Sequence, residues 1–291
     1  MDQHDWLVER FEANRPHLRA VAYRMLGSLG DADDAVQEAW LRLSRADTSG
    51  VENLGGWLTT VVARVCLNML RSRQSRREES LDARIPDPIV SRENGVDPQD
   101  DAVLADSVGL ALLVVLETLT PAERLAFVLH DMFAVPFDEI APMLGRSPTA
   151  TRQLASRARR RVRGSAPAPD ADVLRQREVV DAFFAAARGG DFDALVAVLD
   201  PDVVARTDGG PGASVIVRGA HVVAGRAITF AQPSATLRPA LVNGAAGVVI
   251  TANRRLVSVM AFTVKDGKIV EIDALTDPER LRTLDLAVLD D

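Results

Sequence analysis

Residues 147–164, SPTATRQLASRARRRVRG, hold six arginines and no acidic side chain. Ser147 followed by Pro148 is a typical helix start, because a serine hydroxyl caps the first turn and proline fits the first helical position. The preceding run, Phe137 to Leu144, has helical spacing, and Gly145 marks a turn. A helix, a short turn and a basic second helix predict a helix-turn-helix, whose second helix enters the major groove of DNA.

The N-terminal half of this second helix is predicted to read bases, because arginine and glutamine can bond guanine and adenine bidentately. The later arginines suit phosphate contacts, which add affinity without sequence information. The residues predicted to contact DNA are Thr149, Thr151, Arg152, Gln153, Ser156, Arg157 and Arg160. A solvated basic face is the alternative, and the agreement of cap, turn and charge disfavours it.

The chain as a whole is acidic, with 291 residues and a formal net charge of −7. This length predicts two or three domains, and the composition is that of a soluble globular protein. Cys66 is the only cysteine, which excludes an internal disulfide and a cysteine-based zinc site. We expect a cytoplasmic protein that neither enters a membrane nor carries a leader, because no apolar run reaches the roughly 20 residues of a membrane span.

Residues 1–77 have helical patterning throughout. In DADDAVQEAWLRLS, residues 31–44, the apolar side chains recur at helical spacing and predict one buried face. The opposite, polar face of this helix contains Asp34, Gln37, Glu38 and Leu41. The next helix runs through WLTTVVARVCLNMLRSRQSRR, residues 57–77, and its polar side includes Arg64, Asn68 and Arg71.

The remaining domain boundaries follow from composition. Residues 78–101 are proline-containing and acidic and are predicted to be a linker, and residues 102–164 form the helix-turn-helix domain. Residues 165–172, SAPAPDAD, form a second linker. Residues 173–291 change character, with one long helix followed by strand-like runs and a hairpin turn at 265–268, KDGK. The sequence therefore predicts two all-α modules followed by an α+β domain.

Two stretches of the helical part resemble a known family. DADDAVQEAWLRL with GGWLTTVVARVCLNMLRSR resembles the first domain of the extracytoplasmic-function, or group IV, sigma factors of bacterial RNA polymerase. LETLTPAERLAFVLHDMFAVPFDEIAPMLGRSPTATRQLASRARRRV resembles their second domain, which reads the −35 element as duplex. The resemblance implies a protein that directs promoter-specific transcription initiation, with core RNA polymerase and promoter DNA as partners.

The resemblance also implies roles for particular residues. The face formed by Asp34, Gln37, Glu38 and Leu41 would dock on the clamp helices of the largest polymerase subunit, and the second domain would meet the flap of the second-largest. Bases flipped out of the −10 element would be held by Asn53, Arg64, Asn68 and Arg71. The family acts as one copy per polymerase, so we expect a monomer when the protein is free.

The third domain resembles a SnoaL-like fold, a cone-shaped α+β domain with a pocket. Sigma factors with this extension carry three further motifs, matched by IPDP at 85–88, DGGPG at 208–212 and DPERL at 277–281. The middle motif lacks the lysine that the family has there. The resemblance implies intramolecular regulation through Pro86, Asp87, Pro88, Asp208, Gly209, Gly210, Asp277, Pro278 and Arg280.

Three alternatives remain open from the sequence. The third domain could bind a small ligand that the sequence does not name. It could be a cyclase-like enzyme using His221 and Asp208 for proton transfer, although we expect no enzyme activity, no cofactor and no metal. The whole chain could instead be a helix-turn-helix regulator that binds DNA without polymerase, which would leave the first helical module unexplained.

Overall fold

The computed structural model describes residues 3–46, 51, 53–76, 84–92, 109–165, 169–231, 234–284 and 286. These residues form two compact units. The first unit contains the described residues up to 76 and those from 115 to 165. The second contains the described residues of 84–92, 109–114 and those from 169 onward.

The first unit begins with three helices. They are α1 (Gln3–Leu26), α2 (Leu29–Leu43) and α3 (Leu54–Arg76). α1 packs against both α2 and α3, and Phe11, Leu18 and Val62 in this core have no exposed surface. The hydroxyl of Ser28 caps α2, and Asp31 lies in its first turn, where the helix dipole favours negative charge.

The helices of the second module follow. They are α4 (Leu110–Glu117), α5 (Pro121–Phe127), α6 (Phe137–Leu144) and α7 (Pro148–Ser165). The first five residues of α4 belong to the second unit. The hydroxyl of Thr120 accepts a hydrogen bond from the Glu123 backbone N–H, and the Glu123 carboxylate accepts one from the Thr120 N–H. This reciprocal capping box begins α5, as the sequence Thr120-Pro121-Ala122-Glu123 predicts. The helical patterning predicted before Gly109 lies outside the described residues.

The helix-turn-helix consists of α6, the turn at Gly145 and α7. Gly145 adopts the left-handed conformation, with φ +62°, and ends α6, as the sequence predicts. Pro142 lies inside α6 near its end and is exposed. The Ser147 hydroxyl accepts from the Ala150 N–H at 3.2 Å and caps α7. The element that the arginine-rich stretch predicts is therefore present.

A π-helical turn precedes the helix-turn-helix, and the periodicity of the sequence does not predict it. Residues Val128–Met132 continue α5 as a π-helical turn, and Ala134 beyond it has φ +55°. Within this turn His130 stacks on Phe137, with the ring centroids 3.7 Å apart. The wider turn thus positions the loop that leads into α6.

Arg124 joins the two helical modules within the first unit. Its side chain is only 2% exposed, and Nη1 donates to the Met25 carbonyl and to Glu117 Oε1, both at 2.9 Å. Its Nε donates to the Leu116 carbonyl at 2.8 Å. A buried guanidinium is stable only when its donors are satisfied, so these bonds hold α5 against the end of α1.

The second unit is an α+β domain. Its helices are α8 (Val173–Gly189), α9 (Phe192–Val198), α10 (Ala220–Phe230) and α11 (Pro278–Leu281). Its strands are β1 (Val90–Ser91), β2 (Leu199–Asp208), β3 (Val215–Arg218), β4 (Thr236–Val242), β5 (Ala245–Ala252), β6 (Arg255–Lys265) and β7 (Lys268–Leu275). Asp266 and Gly267 have positive φ and close the β6–β7 hairpin that the sequence predicts.

The described strands pair in one sheet, in the order β1-β4-β5-β6-β7-β2-β3. β2 and β7 run parallel, and the other neighbours are antiparallel. Side chains of α8, α9 and α10 pack on one face of the sheet around Phe183, Leu195 and Phe262. Ile272 belongs to this core, so Glu271 and Asp273, its neighbours in β7, point to the opposite face.

Part of the predicted linker belongs to this sheet. Val90 and Ser91 pair with Val242 and Leu241 as the edge strand β1. Residues 84–92 pack on the C-terminal domain, and Ile85 is 1% exposed. The expectation of a linker without regular structure is therefore wrong for this segment, because its apolar side chains are buried. Residues 77–83 and 93–101 of the linker lie outside the described residues.

Candidate DNA-binding surface and interdomain clamp

α7 presents most of the predicted base-reading residues to solvent. Leu154, Ala155 and Ala158 are buried against the rest of the module, which turns the other side of the helix outward. The exposed residues of the predicted set are Thr149, Arg152, Gln153, Ser156, Arg157 and Arg160. The guanidinium of Arg152 lies over the Phe137 ring, 5.3 Å from its centroid. This exposed row is the candidate duplex-reading surface.

Thr151 is not part of that surface. Its side chain has no exposed area, and its hydroxyl donates to the Ser147 carbonyl at 3.1 Å. Thr151 lies one helical turn before Ala155 on the buried side of α7. The prediction that Thr151 contacts DNA is therefore wrong on geometric grounds.

The arginines of α7 fall into two groups. Arg159 pairs with Asp131 of the π-helical turn, and Arg161 donates to the Thr118 carbonyl at 3.2 Å. In the described part of the chain, neither an ion pair nor a hydrogen bond engages the side chains of Arg160 and Arg163. These two are the arginines that the structure leaves best placed for phosphate.

α3 carries the predicted −10 residues on one exposed face. Arg64, Asn68 and Arg71 are all exposed and follow one another at helical spacing of four and three. Asn53 is exposed immediately before the helix, and its Oδ1 accepts from the Gly56 N–H at 3.0 Å. Asn53 therefore caps the N-terminus of α3.

α2 presents the predicted polymerase-binding face. Asp34, Gln37 and Leu41 are exposed, and Glu38 accepts from Arg42 Nε at 2.9 Å. Leu41 is 40% exposed although the buried side of the same helix is apolar.

Arg280 is the centre of an ion-pair cluster in the second unit. Its guanidinium bonds Asp208 Oδ2 at 2.5 Å, Asp87 Oδ1 at 2.6 Å and the Ile85 carbonyl at 2.6 Å. Asp208 Oδ2 also accepts from the Ile85 N–H at 2.9 Å. We call Asp87, Asp208, Arg280 and the Ile85 backbone the interdomain clamp, because it ties residues 85–87 to the C-terminal domain.

The three motifs, which begin at residues 85, 208 and 277 of the chain, thus meet at one place. Pro86 and Pro88 are buried beside the clamp, and Asp277 caps α11 by accepting from the Glu279 N–H at 2.9 Å. Gly210 has φ +93°, and a Cβ there would lie 3.1 Å from Asp277 Oδ2. A glycine is required at this position for both reasons. Gly209 is equally restricted, since its Cβ would lie 2.9 Å from the Ala213 carbonyl.

Asn243 is a second anchor that sequence reasoning missed. Its Oδ1 accepts from the Ile89 N–H at 3.1 Å, and its own N–H donates to the Ile89 carbonyl at 2.8 Å. The side chain is 3% exposed and the backbone has φ +50°. Asn243-Gly244 is a recognisable turn dipeptide, but the turn signal gives no sign that the asparagine also binds a distant segment.

A buried ion-pair triad lies on the sheet face opposite the helices. Arg206 donates to Glu271 Oε1 and to Asp273 Oδ1, each at 3.1 Å. Burial raises the pKa of Asp273 to about 6, against an ordinary value of 3.8, and Arg206 opposes that rise. Asp273 is 2% exposed. One arginine therefore serves two carboxylates in this cluster.

This triad predicts a pH dependence of stability. Between pH 4 and 6 the folded protein holds a proton on Asp273 that the unfolded chain has released, so the free energy of unfolding falls as the pH rises through this window. The Asp273→Asn variant has no carboxyl at this position, so this contribution of Asp273 protonation to stability is absent. We expect the stability of the wild type relative to this variant to increase by about 1–3 kcal/mol from pH 7 to pH 4.5. Urea denaturation at several pH values measures the free energy of unfolding of both proteins. If this free energy changed with pH in the same way in both, the raised pKa of Asp273 would be contradicted.

The residues of the enzyme alternative are not arranged as an acid–base pair. His221 is exposed and its ring lies 5.8 Å from that of Phe192, whereas Asp208 is buried in the clamp. Across the described ranges, no group of three or more histidine, cysteine or acidic residues is placed to hold a metal ion. Nor is any helix in those ranges long and apolar enough to cross a membrane.

The all-α modules present exposed basic or polar faces on α2, α3 and α7. Such faces are typical of a transcription protein that binds DNA. Comparison with known families agrees with both modules. Residues 10–76 match the model of sigma-70 region 2, and residues 109–162 match that of sigma-70 region 4.

Full-length relatives extend the match to the C-terminal domain. The chain is 39% identical, over 98% of both chains, to the probable ECF RNA polymerase sigma factor SigI of Mycobacterium tuberculosis. It is 40% identical to the ECF RNA polymerase sigma factor SigJ of the same species, over 94% of this chain and 92% of SigJ. The crystal structure of M. tuberculosis SigJ superposes with a TM-score of 0.75 at 38% identity and covers 96% of this chain and 99% of its own.

The chain therefore belongs to the extracytoplasmic-function sigma factors of RNA polymerase. The predicted fold class is confirmed, with helical sigma modules followed by an α+β domain. Sigma factors act by binding rather than by catalysis, so the main interpretation of the sequence is favoured over the enzyme and repressor alternatives.

Proposed function

We propose that this chain docks on core RNA polymerase through α2, holds −10 bases with α3 and reads the −35 duplex with α7. The exposed faces described above support this assignment, since the family relationship gives each helix its role. The largest-subunit clamp helices are the partner of the α2 face, and the flap of the second-largest subunit is the partner of the helix-turn-helix module. The protein works as one copy per polymerase, in the cytoplasm.

We further propose that the C-terminal domain regulates this activity within the same chain. The observation that carries the proposal is the interdomain clamp, because Asp87 and Ile85 belong to the segment that connects the two sigma modules along the chain. The domain holds this segment by the Arg280–Asp87 ion pair, by two hydrogen bonds to the Ile85 backbone and by the edge strand β1. These contacts restrict the conformations that the chain between the two sigma modules can adopt. In the family this connection runs through polymerase. When the C-terminal domain holds or releases the segment, it therefore changes how the two sigma modules bind the polymerase.

Transcription with purified core polymerase tests this regulation. A chain truncated at Ala171 loses the domain, and we expect its yield of promoter-specific transcripts to differ severalfold from that of the full chain. Arg280→Ala keeps the domain but breaks the clamp, and we expect a change in the same direction. Arg282→Ala, two residues away and exposed, is the matched control. Unchanged yield in both the truncated chain and Arg280→Ala would rule the regulation out.

A further inference from the structure

A cavity of about 420 Å³ lies inside the C-terminal domain, between α8, α10 and the sheet. This size is within the range of sites for small organic molecules. The wall is mainly apolar, and representative lining residues are Phe183, Phe184, Val217, Val223, Met260 and Ile272. The clamp residues Asp87 and Arg280 are not among those that line it.

Ser258 supplies an unused polar group in this wall. It is 6% exposed, and its Oγ is buried without a hydrogen-bond partner among the described residues. A buried hydroxyl without a partner is unfavourable, and a ligand oxygen that accepts its hydrogen bond removes that penalty. The hydroxyl therefore points to a ligand with an oxygen that reaches β6.

The charged residues of the wall are arginines. Arg188 and Arg226 line the cavity, whereas its described lining contains no aspartate or glutamate. Arg206 is also a lining residue, but its guanidinium bonds Glu271 and Asp273 on the opposite face of the sheet. Arg188 donates to the Ala235 carbonyl and Arg226 lies over the Phe230 ring, so both are held at the wall. This distribution favours an anionic group and disfavours a cationic one.

The cavity also has an apolar border. Phe230 is 67% exposed, and Val215 and Val257 are also exposed, although all three line the cavity. Apolar side chains that are both at the surface and in the wall indicate where the cavity opens to solvent. An entering molecule would therefore meet apolar contacts before it reaches the interior.

We propose that this cavity binds a mainly apolar molecule with a single carboxylate. The hydrocarbon part occupies the space among the phenylalanines and aliphatic residues. The carboxylate accepts hydrogen bonds from Ser258 Oγ and charge-assisted bonds from Arg188 or Arg226. The proposal goes beyond promoter recognition, because it concerns binding to the free protein and requires no polymerase.

Isothermal titration calorimetry of the full-length protein with three matched probes tests this binding. Decanoate, 1-decanol and decylamine share one chain length and differ in the charge of the head group. We expect decanoate to bind at least tenfold more tightly than decylamine, with decanol between them. In Ser258→Ala we expect decanoate to bind about fivefold to tenfold more weakly, since one hydrogen bond is lost. Equal affinity for decanoate and decylamine, or no binding of any probe, would overturn the proposal.

A matched pair of alanine variants locates the binding. Ala227 of α10 lines the cavity, whereas Ala182 of α8 is exposed and does not. Ala227→Leu reduces the space, so we expect it to lose most decanoate binding, while Ala182→Leu keeps it. Melting curves verify that both leucine variants fold. If Ala227→Leu does not fold, Ser258→Ala tests the same cavity, because it removes only one oxygen. Equal binding by two folded leucine variants would show that decanoate binds outside the cavity and would refute the assignment.

Discussion

Replacing Arg280 by alanine should release residues 85–87 from the C-terminal domain and lower the free energy of unfolding of that domain by about 3–5 kcal/mol. The reason is that Asp87 and Asp208 are nearly buried and would lose the cation that both of them bind. A buried carboxylate without a partner costs far more than an exposed ion pair contributes. Hydrogen exchange measures the release at the Ile85 amide, which bonds Asp208. The Ile89 amide bonds Asn243 outside the clamp and should stay protected.

Arg282→Ala is the control for this experiment. Arg282 is exposed, and its Nε bonds only the Pro278 carbonyl among the described residues. We expect the free energy of unfolding to change by less than about 0.5 kcal/mol. An Ile85 amide that stays as protected in Arg280→Ala as in Arg282→Ala would show that the clamp does not hold the segment.

The second large effect concerns promoter recognition. The double variant Arg152→Ala with Gln153→Ala should lose at least about 2 kcal/mol of discrimination between a cognate and a scrambled duplex, or about 30-fold, because each bidentate base contact contributes about 1–3 kcal/mol. The cognate duplex is one selected from random sequence by the wild-type protein. Fluorescence anisotropy with both duplexes measures the ratio of the two affinities.

Arg163→Ala is the matched change on the same helix. Arg163 lies near the C-terminal end of α7 and is exposed, so it suits phosphate and carries no base information. We expect it to weaken binding of both duplexes equally and to reduce the slope of log affinity against log salt by about one. If the Arg152 and Gln153 double variant also weakened both duplexes equally, base reading by α7 would be contradicted.

Local sequence signals were sufficient for the helix-turn-helix. The predicted helix Phe137–Leu144 has the observed bounds, and the Thr120 capping box and the Gly145 turn are present. These features depend on residues within one or two helical turns of each other. The error at Thr151 also has a local cause, since Thr151, Leu154, Ala155 and Ala158 form a helical stripe that identifies the buried side.

The clamp could not be derived from the residues in the same way. Asp87, Asp208 and Arg280 lie far apart along the chain, and only the family resemblance placed their motifs in one regulatory set. The acidic, proline-containing composition of residues 78–101 favours a disordered linker, whereas the structure buries Ile85, Pro86 and Pro88. The π-helical turn and the hydrogen bonds between Asn243 and Ile89 depend on tertiary contacts. The hydrophobic periodicity of the sequence does not predict such contacts.

The most direct measurement is run-off transcription with core RNA polymerase that has been freed of other sigma factors. We predict that adding the full-length protein, or its Arg280→Ala variant, yields transcripts from discrete start sites. The double variant of Arg152 and Gln153 should lose them. If neither folded protein yields a discrete transcript or associates with the polymerase, the assignment of the two helical modules to promoter recognition is contradicted.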